Sequence, residues 1–211
     1  NYLALLGWGI AEDRDVFTMA EMAEAFDIRR VNPNPARFDM KKCEAINAAH
    51  MRLLTVEDFA ERMVPYLQKA GVLSEEVTPE QRAVLDQATP LVHERMGTLG
   101  EAVEMLGFLF VDESRFERDP GDAEKMLDED GRAVLKAAHD ALAGLGSWET
   151  TSIEAALRQA LVEDLGLKPR HAFGPVRVAV TGRRISPPLF ESLELLGRER
   201  SLSRLRSAQG V

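Results

Sequence analysis

Five times along this chain a threonine is followed, three residues on, by an acid or amide at the head of an apolar stripe: Thr18-Met-Ala-Glu21, Thr55-Val-Glu-Asp58, Thr78-Pro-Glu-Gln81, Thr98-Leu-Gly-Glu101 and Thr151-Ser-Ile-Glu154. In such a box the hydroxyl accepts from a free N–H of the first helical turn, and the acid or amide reaches back to the cap's own N–H. The residues that follow keep helical spacing: Met19, Met22, Ala23 and Phe26; Val56, Phe59 and Met63 with Tyr66 or Leu67; Val103, Leu106 and Leu109; Ile153, Ala156, Leu157, Ala160 and Leu161. Asp39 opens a further helix presenting Met40, Cys43, Ile46, Asn47 and His50, and Thr89-Pro90 restarts or kinks the one begun at Thr78. Helices are expected from Asp122 to Leu127, Glu129 to Leu142 and Thr151 to Leu165. Val31-Asn-Pro-Asn-Pro35 cannot be helical, and Asp119-Pro-Gly-Asp122 marks a turn or helix start near which a boundary is expected. Val176, Val178 and Val180 alternate, which reads as a short strand or an extended connector. The expected fold is mainly all-α, in bundle-like layers joined by short capped turns.

Several classes of function find no support. With 211 residues, 45% of them hydrophobic, there is enough chain for one or two domains with real cores. No run approaches the roughly 18 apolar residues a membrane span needs. A lone cysteine, Cys43, precludes an internal disulfide and fits a reducing, cytoplasmic compartment. His50, His93, His139 and His171 are scattered without metal-ligand spacing, so no metal is expected. No phosphate-cradling glycine loop, nucleophile elbow or metalloprotease helix occurs, and paired acids such as Glu75-Glu76 and Glu163-Asp164 read as solvated surface. The sequence begins with Asn and has no charged leader, which reads as a piece of a longer chain without a secretory signal.

Charge points the other way. The chain carries −9, but residues 168–211 hold nine basic residues against three acids, a net of +6 that leaves −15 on residues 1–167. Within that module, Gly174 to Glu191 gathers Arg177, Arg183 and Arg184 as planar donors, Thr181 and Ser186 as hydroxyls, and Pro187-Pro188. Ser186 reads as an N-cap and Pro187 as the first residue of a helix with Leu189, Phe190, Leu193 and Leu196 on one face, broken at Gly197 and followed by a second short turn bearing Leu202 and Leu205. A helix start flanked by arginines suits phosphates or base edges. A charged tail that is merely solvated remains an equal reading of the charge alone.

These residues resemble a known family. Asn1-Tyr-Leu-Ala-Leu-Leu-Gly-Trp8, Val16-Phe-Thr18, Phe38-Asp39 with Lys41-Lys42, Ile46-Asn47 and His50 look like the stem-contact region of bacterial glutamyl-tRNA synthetase. Val92-His-Glu-Arg-Met-Gly-Thr-Leu99 looks like its first anticodon-binding subdomain. Arg177-Val-Ala-Val-Thr-Gly182, Ser186-Pro-Pro-Leu-Phe-Glu191 and Leu195-Leu-Gly-Arg-Glu-Arg200 look like its terminal subdomain. The order is the family's own across nearly the whole chain.

The resemblance implies the tRNA-binding C-terminal half of a class I ligase that joins glutamate to tRNA with ATP and magnesium. The ATP-handling motifs lie in a catalytic half that precedes this region, so no cofactor is expected here. It also implies a helical stem-contact segment over 1–54 and two helical anticodon-binding subdomains over 55–118 and 119–211. Arg95 matches a position beside the first anticodon base, and Arg177, Ser186, Pro187 and Leu189 match positions beside the second and third. Arg183 and Arg184 suit phosphate neutralisation better than base reading. The implied partner is tRNA(Glu), with tRNA(Gln) left open, and the implied state is a monomer without DNA or membrane contact. A reading from another class, a non-catalytic helical protein-interaction module, stands beside it on the strength of the many amphipathic helices.

Overall fold

The computed structural model describes residues 1–210. Among them twelve α-helices and no strand occur. These are α1 (Tyr2–Leu5), α2 (Met19–Ala25), α3 (Met40–Arg52), α4 (Val56–Lys69), α5 (Pro79–Val92) and α6 (Ala102–Phe110). They continue with α7 (Pro120–Met126), α8 (Glu129–Ala143), α9 (Thr150–Leu157), α10 (Pro169–Thr181), α11 (Leu189–Leu196) and α12 (Arg198–Ser207). No helix is long and apolar enough to cross a membrane among the described residues.

The threonine boxes form helix starts, with differences in detail. Thr18 and Thr78 make both halves of the box with Glu21 and Gln81. Thr55 accepts from the Asp58 N–H at 3.1 Å, and Asp39 accepts from Lys42. At Thr98 the acid does the work: Glu101 takes the Thr98 N–H at 2.9 Å and a 3-10 turn, Leu99–Glu101, leads into α6. Thr151 caps nothing, contrary to the box read in its sequence. Helix α9 begins at Thr150, whose N–H donates 2.7 Å to Glu194 of α11, and the Thr150 hydroxyl meets the same carboxylate. A carboxylate brought from another helix takes over the capping, because α9 and α11 pack side by side. The α9 helix widens into a π-helical turn over Arg158–Asp164. Pro90 does not break α5, which runs on to Val92; the preceding Thr89 hydroxyl donates to the Leu85 carbonyl at 2.7 Å.

One hydrophobic cluster runs from Met51 at the end of α3 to Leu205 of α12 and draws on α4 to α6 and α8 to α12 between them. Its centre includes Phe59, Met63, Leu85, Leu106, Leu135, Leu157 and Leu193, all sealed from solvent. Burial of such side chains contributes about 1.5–3 kcal/mol each, which gives these short helices a stability that propensity alone would not.

The N-terminal segment is held by its own contacts. Tyr2 meets Phe38 edge-on at 5.0 Å, and Trp8 meets Phe17 at 5.8 Å. Asn1 Oδ1 accepts from the Phe17 N–H at 3.1 Å and lies 2.7 Å from His50 Nε2, while the Tyr2 hydroxyl accepts from the Asp39 N–H at 2.6 Å. The residues that carry the resemblance in this segment are thus joined to one another.

The alternating valines are helical. Val176, Val178 and Val180 lie in α10, and all three are completely buried together with Ala172 and Ala179. Helix α10 packs against α6, α7, α8, α11 and α12. A helix covered on most sides loses its polar face, so the 3.6-residue period fades and a chance period of two is left.

Candidate nucleic-acid interface

Helix α10 ends at Gly182, whose φ of +84° gives the left-handed cap that lets the chain turn sharply. A Cβ there would stand 2.8 Å from the Glu117 carbonyl oxygen, so glycine also permits a close backbone approach. In the last turn, Arg177 is half-buried and donates through Nη1 to the Ser186 hydroxyl at 2.6 Å and to the Pro187 carbonyl at 2.7 Å. The Ser186 hydroxyl in turn donates to the Pro187 carbonyl at 3.0 Å. The segment between α10 and α11 is therefore folded back over one guanidinium nitrogen.

This arrangement changes the expected part played by Ser186 and Pro187 in helix formation. Helix α11 starts at Leu189 with Pro188 as its cap residue, not at Pro187 behind a Ser186 cap. Ser186 is only 5% exposed, and its oxygen is occupied by Arg177 before it could serve a helix N–H. Leu189 is 3% exposed and belongs to the core. Thr181 is likewise turned inward, donating to the Arg177 carbonyl at 2.9 Å.

Arg177 itself is left with free donors. Its Nε and Nη2 make no hydrogen bond among the described residues and are not sealed from solvent. Burial pushes its pKa down, the positive charge of Arg95 lowers it further, and Glu191 opposes both. Arg95 follows α5, is exposed, and its side chain has no hydrogen bond or ion pair among the described residues. Helix α11 packs on both α5 and α10, and Arg177, remote from Arg95 in sequence, lies within the field of its charge. Like charges within reach of each other, only partly offset by Glu191, favour an anionic or acceptor-rich ligand.

Arg183 and Arg184 lie on the other side of the Gly182 turn. Arg183 pairs with Glu104 at 3.5 Å, and Arg184 donates to Asp122 through both its backbone N–H at 2.8 Å and its Nε at 2.5 Å. They border a cleft of about 320 Å³ with Glu101, Met105 and Ile185. Both side chains are more than two-fifths exposed, so each pair is open to competition from a phosphate.

Some of the C-terminal positive charge is used internally. Arg200 and Arg204 bind Glu113, and Arg198 donates to the Leu145 carbonyl beside the Trp148 ring. The surplus counted along the sequence is therefore larger than the surplus offered to a partner. One group escaped the sequence reading: Arg158 of the π-helical turn lies 5.7 and 5.8 Å from the rings of Phe173 and Phe190, which meet edge-on at 5.4 Å. Phe190 reads in sequence as one more core position, and nothing in the linear order signals that three separate elements bring these two rings together with Arg158, which also pairs with Glu154 at 2.6 Å.

A family model described as "Anticodon binding domain" matches residues 58–209. The chain is 66% identical over 210 residues to the glutamate–tRNA ligase of a Nocardioides species, covering all of this chain and 43% of that relative. It is 61% identical over 210 residues to the glutamate–tRNA ligase of Saccharopolyspora erythraea, covering all of this chain and 42% of the relative. A crystal structure of a glutamate tRNA ligase from Elizabethkingia meningosepticum shares the fold at a TM-score of 0.79 and 22% identity, over 99% of this chain and 40% of that one. The chain thus spans about two-fifths of the length of the curated relatives it matches.

Proposed function

Because the chain belongs to the anticodon-binding-domain family, we propose that it is the part of a glutamate–tRNA ligase that reads the anticodon loop. The observation that carries this reading is that Arg177 and Arg95 both keep donors not engaged by the protein, with Arg177 inside the field of Arg95. An anticodon is single-stranded, so its bases can be splayed out and their edges met by a guanidinium fork. Arg177, positioned by Ser186 and Pro187, reads one base; Arg95 reads its neighbour; Leu189 forms the apolar floor beneath them. Arg183 and Arg184 exchange their acidic partners for backbone phosphates. Residues 1–54 form the stem-contact region, and 55–118 and 119–211 form the two anticodon-binding subdomains.

In this reading ATP and magnesium are handled by parts of the ligase other than these residues, the partner is tRNA(Glu), and the protein works in the cytoplasm as a monomer. Family membership favours RNA over the protein-interaction alternative. Titration of the chain with a 17-nucleotide anticodon stem-loop of tRNA(Glu), against the same hairpin with its anticodon bases scrambled, is the direct test. Preference for the native anticodon that persists as salt is raised supports the reading, and equal affinity for both hairpins overturns it.

A further inference from the structure

One further arginine of the C-terminal region is too deeply buried to touch a ligand. Arg204 of α12 is 1% exposed, yet it is fully engaged. Its Nη1 donates to the Val180 carbonyl in the last turn of α10 at 2.7 Å, and its Nη2 to the Phe108 carbonyl near the end of α6 at 3.0 Å. Glu113, in the turn after α6, accepts from Nε at 3.0 Å and from Nη2 at 2.7 Å. The guanidinium lies 3.5 Å from the Phe116 ring centre. Arg200, one turn earlier in α12, meets the Leu109 and Val111 carbonyls at 2.7 Å each. Helix α12 therefore crosses the C-terminal ends of α6 and α10, where free carbonyls and negative dipole ends attract cations.

Of the reading surface, Arg177 lies beside the clasped end of α10, whereas Arg95 lies before the start of α6, at the other end of that nine-residue helix. Arg177 lies one turn before Val180 on α10, and Arg95 lies in the connection that joins α5 to α6. A well-packed apolar side chain can replace a buried charged network with little loss of stability, whereas directional bonds fix one arrangement of the elements they join. We infer that Arg204 is a positioning residue for the anticodon surface, clasping the ends of α6 and α10 so that Arg95 and Arg177 are held at one separation. This rests on the reading given above for the two arginines.

The test uses Arg204→Met, which keeps an apolar body of similar length, and Glu113→Gln, a milder change at a side chain 39% exposed. Spin labels at Gln87→Cys on α5 and Arg170→Cys on α10, both exposed positions, in a Cys43→Ser background, report the separation of α5 from α10. Arg204→Met should broaden that distance distribution while far-UV circular dichroism stays helical. It should also cut the ratio of affinities for native over scrambled anticodon hairpins about tenfold, and abolish the non-additivity of Arg95→Ala and Arg177→Ala, which share one ligand. Glu113→Gln should do the same to a smaller degree, and decides the matter if Arg204→Met does not fold. A narrow, unchanged distribution with undiminished discrimination in a folded variant overturns the clasp. Broadening in a protein whose parent does not discriminate between the hairpins overturns the anticodon reading instead.

Discussion

Arg177 and Ser186 stand 2.6 Å apart, Nη1 to Oγ, across the turn from α10 to α11, with the hydroxyl buried and the rest of the guanidinium reaching solvent. One end of the arginine is fixed by the protein and the other is available. A donor fork whose orientation is set before binding loses less freedom when it engages a base.

Replacing Arg177 by alanine should lower the affinity for the native anticodon hairpin by about 1–3 kcal/mol while leaving affinity for the scrambled hairpin nearly unchanged. Ser186→Ala should lose less, about 1 kcal/mol, because the Pro187 carbonyl still holds the same nitrogen. Paired fluorescence titrations of both hairpins provide the measurement. Equal weakening on native and scrambled sequences would show that Arg177 touches phosphate and not base.

Arg183→Ala and Arg184→Ala should behave in the opposite way. Each phosphate neutralised on a single strand contributes about 0.7 to the slope of log affinity against log salt concentration. Removing one arginine should flatten that slope by about this amount and leave the native-to-scrambled ratio where it was. A slope that does not move would mean Glu104 and Asp122 keep these side chains in the complex.

Gly182→Ala should destabilise the fold by at least about 1–2 kcal/mol, the penalty for a side chain in the left-handed region, with the 2.8 Å approach to the Glu117 carbonyl adding to it. Gly146→Ala is the matched control, since a Cβ there meets nothing within 4 Å and φ is not positive. Urea midpoints compare the two; an unaffected midpoint in Gly182→Ala would mean the turn after α10 relaxes freely.

Acid should loosen the α6–α12 junction. Burial pushes the Glu113 carboxyl up, but hydrogen bonds from Arg204 and Arg200 outweigh it and leave its pKa below the usual 4.5. The folded state therefore binds fewer protons than the unfolded chain just below that value. The contribution is complete above pH 4.5 and is lost as pH falls through the folded-state value. Urea unfolding between pH 5 and pH 3 should show stability falling with pH, with a shallower fall in Glu113→Gln. Parallel curves for the two proteins would exclude Glu113 as a source of the acid sensitivity.

Much of this architecture is legible in a linear reading because capping is local. Thr18, Thr55 and Thr78 mark helix starts within a few residues of their partners, so short-range hydrogen-bond chemistry suffices to place α2, α4 and α5. The same logic failed at Thr151 because Glu194, distant in sequence, supplies the cap. It failed at Ser186 because Arg177 takes the hydroxyl first.

The sequence by itself determined that the chain is helical, where most helices begin, and which arginines lie in the segment from Gly174 to Glu191. Those properties depend on neighbours within one or two turns. Only the tertiary structure decided that Arg177 belongs to a helix and not a connector, that the charge of Arg95 reaches it, and that Arg200 and Arg204 are withdrawn into the protein. Each of these depends on which helix ends meet, and packing between elements far apart in the chain sets that.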